Sequence, residues 1–508
     1  MKGKNMEKLI IIIGGGLSGL AVGCYGRMNG YRTSIFEMHS IAGGVCTGWK
    51  RKGYTIDSAM NWLMGTRPVK PGIGVYKYWQ ELGVAQHWQI VDHDRFMIFE
   101  DETGNMFSLY SDIDQLERQM IEISPEDKEI IHEITNAARE FTRYDLSQDK
   151  PQELYNVFDY LKAVKMFPFL MFMRKWSKVS VADYIKRFKS PLLRQIISLD
   201  EDVTQINSSA LGIPLVLAFL NQQTAGYVIG GSLALVGYIQ RRYLDLGGEL
   251  HFKTKVEKIL TENGKAVGIR LVDGTEHQGD VVVSAADGHA TIFDMLGSKY
   301  IDDAIRGYYD NLTLYPPLIY IGLGIDRTFD DIPPSAEGLT FPLEDPLTIA
   351  GQEYKSFTAQ IYNFDHTLAP QGKTLVRVML NTDYDYWEQL YKDPERYKAE
   401  KEQIEDMVIS LLDKRFPGLA NQVEMCDIAT PMTWVRYTGN WRGAYEGWMR
   451  DMKAPLLMKK KLPGLDNFYM AGQWVNPGGG MPAAVMSGRH TIQMICKKDK
   501  KKFVTSIP

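Results

Sequence analysis

The sequence predicts a mixed α/β (α+β) protein: a Rossmann-like dinucleotide-binding domain interrupted by an inserted substrate or cap domain. Three observations predict it. Gly14-Gly15-Gly16-Leu17-Ser18-Gly19 follows a short isoleucine-rich run and opens a helical pattern. Strand and glycine-rich signals recur in the middle and near the end of the 508-residue chain. Less regular segments, one rich in aromatic and basic residues, lie between these pieces. A chain of this length holds several domains or one large domain with an insertion. The expected pieces are 1–85, 226–300 and 426–508 for the dinucleotide domain. The inserted domain is expected at 86–225 and 301–425.

Lys8–Ile13 reads as a buried parallel strand, being short, continuous and apolar. Ser18–Asn29 reads as a helix closed by Gly30, and Arg32–Glu37 as the next strand of a βαβ start. Asp94–Glu100 and Asn105–Tyr110 flank Asp101-Glu102-Thr103-Gly104, a hairpin signal. Ser124-Pro125-Glu126-Asp127 predicts a helix start, with a capping serine, a first-turn proline and an acid three residues on. From Gly248 the pattern turns antiparallel. His251–Thr261 and Lys265–Val272 are joined by Asn263-Gly264, and Asp273-Gly274 turns the chain again. Val281–Ser284 and Phe468–Ala471 read as further buried strands, and no solenoid or propeller repeat is visible.

Composition narrows the function. Apolar residues are 44% and charged residues 24%, which excludes global disorder. A net charge of −4 gives no reason to expect nucleic acid. Cys24, Cys46, Cys426 and Cys496 form no CxxC pair, which excludes a disulfide scaffold and a thiolate zinc cluster. The nine histidines form no HxxxH or HExxH, so no metal is expected. The run Leu9–Ile13 is too short for a signal peptide before Gly14-Gly15-Gly16 breaks it, although Ala21-Val22-Gly23-Cys24 faintly resembles a lipoprotein cleavage site. No stretch reaches the roughly 18 apolar residues of a spanning helix; Leu211–Leu220 comes nearest and contains Pro214. The expected location is cytoplasmic, with a peripheral contact to the inner face of the membrane left open.

The GxGxxG sits between a strand and a helix, the context that gives it meaning. Gly14 permits the tight turn, Gly16 lets backbone approach a pyrophosphate, and Gly19 lets helix and strand pack closely. The helix start supplies free N–H groups and a positive dipole end. Glu37 follows Gly16 by 21 residues and can accept both ribose hydroxyls of an adenosine. No Arg or Lys adjoins it, so a 2′-phosphate would be poorly received. Two later segments favour FAD over NAD. Gly43-Gly44 and Gly53–Trp62 offer a second glycine-rich pass. Ala471-Gly472-Gln473-Trp474 and Asn476–Pro482 then offer a second helix start, which could stabilise charge on a reduced flavin's N1–C2=O edge. Only one GxGxxG is visible, so a built-in NAD(P)H domain is not expected.

These motifs, together with Gly53–Gly65, Gly230-Gly231-Ser232, Val281–Asp287 and Ala471–Pro482, resemble the FAD-dependent phytoene desaturase, carotenoid isomerase and retinol saturase family. The resemblance spans nearly the whole chain. It implies an FAD fold of the p-hydroxybenzoate-hydroxylase type with a lipophilic substrate domain. It implies that Val256 meets the adenine through its backbone and that Asn61 and Trp62 lie near the isoalloxazine. Gly472, Gly480 and Met481 would then lie near the ribityl chain and pyrimidine edge. The candidate cofactor set is completed by Leu17, Ser18, Met38, Val45 and Ala285. Two departures stand out: Val45 where the family often has a basic residue, and Asn61 where saturase-like members often carry His.

A flavin carries hydride, so the protein must orient substrate, exclude water and manage a proton. Asn61 cannot act as an acid near neutral pH. Tyr437, Tyr445 and Glu446 lie in Thr430–Trp448, which resembles the family's flavin-facing segment. They are candidate donors or positioning groups, set against the plainer reading that aromatics line an apolar pocket. The expected activity is FAD-dependent chemistry on C=C/C–C bonds of a lipophilic polyene or isoprenoid, as saturase, desaturase or isomerase. The alternatives are a flavin amine oxidase and a lipid-binding protein with structural FAD. The redox partner is open among quinone, oxygen, carrier protein and NAD(P)H. Val157–Lys189 is aromatic-rich, with eight bases against one acid over residues 160–189. It suits either a membrane-surface contact or a cap over the pocket. Lys497–Lys502, five lysines and one aspartate, reads as a disordered solvated end.

Overall fold

The structure is a computed structural model describing residues 7–69, 74–144, 149–157, 159, 166–198, 209–449, 455 and 458–508. At its centre is a five-stranded parallel sheet. Leu9–Ile13 lies between Arg32–Phe36 and Val281–Ser284, with Glu249–His251 and Phe468–Met470 on the outer edges. Ile10–Ile13 and Val281–Ser284 are buried throughout, as strands covered on both faces must be. The helix Leu17–Met28 packs against the final helix, Met481–Lys498. A Cβ at Gly488 would sit 2.8 Å from both the Ala21 Cβ and the Ser18 carbonyl oxygen. The missing side chain is what lets the two helices press together.

Three expected elements shift. His251–Thr261 is not one strand: Glu249–His251 joins the parallel sheet, and the antiparallel strand starts at Val256. Val256–Glu262, Lys265–Leu271 and Glu276–Gln278 then form a three-stranded sheet, turning at Asn263 (φ +46°) and Gly264 (φ +72°). Ser124 does not cap with its side chain. Its hydroxyl donates to the Asp127 carboxylate at 2.8 Å, and Pro125–Asp127 forms a 3₁₀ turn before Lys128–Phe141. The C-terminal tail is solvated as expected but ordered, with the helix running to Lys498 and hydrogen bonds tying down the residues beyond. The Val504 N–H donates to Asn29 Oδ1 at 2.8 Å, and Arg242 donates to the Ser506 hydroxyl at 2.9 Å.

The intervening segments carry a seven-stranded sheet in the order 423–429, 318–325, 374–381, 352–361, 339–349, 95–100, 106–110. The strand Val423–Ala429 crosses the expected boundary at 425/426, so that sheet extends further along the chain than expected. Helices Ile113–Ile123, Lys128–Phe141, Phe167–Trp176 and Gly212–Asn221 build the cap. Their core holds Ile131, Phe141, Phe172, Trp176 and Phe219. Among the described residues no helix is long and apolar enough to cross a membrane. Of the basic aromatic stretch, Phe158, Tyr160, Leu161, Lys162, Val164 and Lys165 lie outside the described residues.

Candidate cofactor and active site

A continuous cavity of about 2250 Å³ runs from the carboxyl ends of the parallel strands into the space beneath the cap. At one end Gly14 adopts φ +94°, and a Cβ on Gly19 would collide with the Gly14 carbonyl. These are the turn and the close helix–strand approach that the spacing predicts. Gly16, Leu17 and Ser18 line the cavity, whereas Gly19 is packed behind them. The Ser18 hydroxyl is buried without a partner among the described residues, an unmet donor at a helix start. Glu37 is also buried. Its carboxylate accepts from the Gly15 N–H at 2.6 Å and the His39 N–H at 2.7 Å, and each oxygen keeps a further lone pair. An orphan hydroxyl, open backbone and an anchored carboxylate fit the diphosphate and ribose of a dinucleotide.

Met38, Gly43, Gly44, Val45, Val256 and Ala285 continue the wall, and Gly472, Gly480 and Met481 line it from the final strand and helix. Gly480 (φ +88°) turns the chain into that helix, which begins at Met481. The Met481 Sδ lies 3.6 Å from the Cys46 Sγ. Burial pushes the Cys46 thiol up to about 12, so it stays neutral.

Asn61 and Trp62 stand further along the wall, where it turns apolar with Phe96, Phe141, Phe169 and Phe219. Asn61 is fixed at both ends of its amide. The nitrogen donates to Glu337 Oε2 at 2.5 Å, and the oxygen accepts from the buried Arg377 guanidinium, which also donates to Gln360. Arg377 lies among the Tyr320 and Tyr362 rings, 5.5 and 5.4 Å from their centroids. Sequence reading passed over Arg377, Gln360 and Glu337. The available signal was one arginine inside the apolar run Leu375–Leu380. Asp287, at the end of the Val281–Ser284 segment, accepts from the Ala290 and Trp441 N–H groups, yet burial pushes its carboxyl up to about 7.

The tyrosines divide. Tyr445 lines the cavity, burial holds its phenol well above the usual range, and its hydroxyl hydrogen-bonds Tyr320. Tyr437 corrects the expectation. It is 42% exposed, stacks edge-on against His39 and accepts from Arg436 at its hydroxyl, outside the cavity lining. From there its hydroxyl cannot serve a substrate inside.

A sequence profile of the flavin containing amine oxidoreductases matches residues 17–495, nearly the whole chain. The chain belongs to that family. As a member it is an FAD-dependent oxidoreductase, with a Rossmann-like FAD-binding fold. Among curated relatives it is similar to the chloroplastic prolycopene isomerase of Arabidopsis thaliana, 24% identical over 98% of this chain and 84% of that protein. It is also similar to the neurosporene-forming phytoene desaturase of Rhodobacter capsulatus, 24% identical over 97% of this chain and 95% of that one. Among solved structures, putrescine oxidase bound to putrescine superposes with a TM-score of 0.60 at 14% identity, covering 97% of this chain and 99% of that chain. An oxidoreductase from Methanosarcina mazei gives 0.57 at 18%, covering 96% and 100%. At such identity these likenesses speak for the fold.

Proposed function

We propose that this flavoenzyme acts on C=C/C–C bonds of a lipophilic polyene or isoprenoid, as a saturase, desaturase or isomerase. What carries the reading is the continuity of the cofactor groove with an apolar chamber. Trp62, Phe96, Phe99, Phe141, Phe169 and Phe219 line that chamber, the lining a long hydrocarbon needs. Names of the curated relatives point the same way: prolycopene isomerase, phytoene desaturase and 4,4'-diaponeurosporene oxygenase. Bound FAD supplies the hydride chemistry; Gly14–Ser18, Glu37 and Met481 would hold it, and the chamber walls orient the chain and exclude water.

Lipid access fits the cap helix Phe167–Trp176. Phe167, Leu170 and Met171 are exposed on it, beside Arg174 and Lys175, while Phe169, Leu170 and Met173 line the cavity. Such a helix can rest in an anionic surface and pass a lipid inward.

Anaerobic photoreduction followed by reoxidation on adding a polyene tests the saturase direction, and mass spectrometry of co-purifying lipids tests the substrate class. Hydrogen peroxide released with an amine would move the assignment to an amine oxidase. A flavin that finds no acceptor would move it to a lipid carrier.

A further inference from the structure

We propose that Glu446 is the group that holds the mobile proton at the junction of cofactor groove and substrate chamber. This assignment rests on the flavin reading above. Glu446 lines the cavity and has no hydrogen-bond partner among the described residues. A Cβ built on Gly479 would lie 3.1 Å from the Glu446 Cβ, carbonyl oxygen and Oε2. The carboxyl therefore lies against the glycine turn that leads into the final helix, beside Gly480 and Met481. No ion pair reaches this half-buried carboxyl among the described residues, and desolvation disfavours its charged form, so the neutral acid is favoured.

The other candidates are spoken for. Asn61 has no acidic proton, and both ends of its amide are bonded. Tyr445 bonds Tyr320, and Tyr320 donates to the Ser58 carbonyl. Tyr437 is at the surface. Asp287 accepts two backbone N–H groups. Tyr445 beside Glu446 feels its charge, and Tyr320 and Arg377 act on Tyr445 in turn. Burial alone pushes the Glu446 carboxyl up to about 7, the range in which a group both gives and takes a proton.

The step balances as an ionic addition. In the reducing direction a flavin already charged with two electrons by an external donor, such as a quinol or NAD(P)H, would supply hydride to one carbon, and Glu446 would give its proton to the other. The π pair becomes the second C–H bond, the Glu446 O–H bond breaks, and the carboxylate is refilled from water. In the desaturating direction the Glu446 carboxylate would take the proton, while oxidised flavin, kept oxidised by an external acceptor such as a quinone or oxygen, would take the hydride.

The test is infrared spectroscopy of the whole protein, with the visible flavin band recorded alongside. The wild-type minus Glu446→Gln difference, in which the Asp287 carboxyl cancels, should show a carboxylic-acid carbonyl band that fades as pH rises through about 7. Glu446→Gln should keep its flavin, and its polyene turnover should fall about 100-fold or more with KM little changed and the break near pH 7 gone. If Glu446→Gln does not fold, Glu446→Asp decides. It should keep an acid band that titrates at a different pH and lose turnover at saturating substrate. An unchanged band and pH profile in either variant overturns the assignment. The infrared signal needs no cofactor, so a colourless protein sinks the flavin reading separately.

Discussion

Gly15 donates its backbone N–H to the Glu37 carboxylate at 2.6 Å, tying the glycine turn to the end of the neighbouring strand. Replacing Glu37 with Gln keeps the shape and removes the charge from this bond. Hydrogen bonds to charged groups contribute about 1.5–3 kcal/mol, so FAD affinity should fall about ten- to hundredfold. Fluorescence titration of apoprotein with FAD measures this. An unchanged Kd would place the ribose elsewhere.

Gly16→Val should separate folding from cofactor binding. A Cβ at Gly16 meets nothing nearer than the Gly43 carbonyl oxygen at 3.6 Å, so the fold accepts it. The two methyl groups would fill the groove. We expect a folded, colourless protein by circular dichroism and visible absorbance. A yellow one would contradict the site.

The final helix is fastened by a buried ion pair. Arg489 Nε lies 3.0 Å from Glu81 Oε2, both side chains are 8% exposed, and Tyr25 donates to the same carboxylate at 2.7 Å. Removing one partner leaves a buried charge alone, at about 3–5 kcal/mol. Arg489→Met should show that loss in urea unfolding. The double variant Arg489→Met with Glu81→Gln should recover part of it.

Asp287 makes stability pH-dependent. Its carboxyl rises from 3.8 to about 7 on folding, so the folded state binds the proton more tightly than the unfolded one. Its contribution is complete below about pH 4 and is lost as pH climbs through about 7. Asp287→Asn should flatten that part of the curve, read as the difference between wild-type and variant unfolding energies across pH. Parallel curves would show that Asp287 titrates normally.

Phe167→Ser with Leu170→Ser should weaken sedimentation with anionic vesicles. Full burial of each such side chain is worth about 1.5–3 kcal/mol, so partial insertion of two still predicts about a tenfold loss or more. Equal binding by wild type and variant would leave this helix as a cap alone.

How legible each part was follows from how local its cause is. The turn at Gly14 and the close approach at Gly19 need particular residues at fixed offsets, so neighbours in sequence announce them. The seven-stranded sheet is different. Leu318–Ile325 pairs with Thr374–Asn381 and Val423–Ala429, and nothing near Leu318 encodes those partners. Arg377 is buried where Asn61, the Asp57 carbonyl and Gln360 supply acceptors, the first two more than 300 residues away in sequence. Tyr437 misled because it sits on an eight-residue helix whose Val435 and Thr438 face the cavity. A helix that short carries too few positions to reveal which side turns inward. His251 joined the parallel sheet because its pairing partner is Phe36, which no turn near Gly248 could announce.

The last strand of the parallel sheet, Phe468–Met470, pairs with Val282–Ser284, and the helix after it crosses Ala21. A ribosome therefore makes the opening turn of the nucleotide groove long before its far wall. Until Phe468–Met470 has been made, the edge at Val282–Ser284 has no partner strand. A message stopped short of Phe468 should yield a protein the cell degrades rather than a weak enzyme, and flavin supply can influence yield only after that strand has been made.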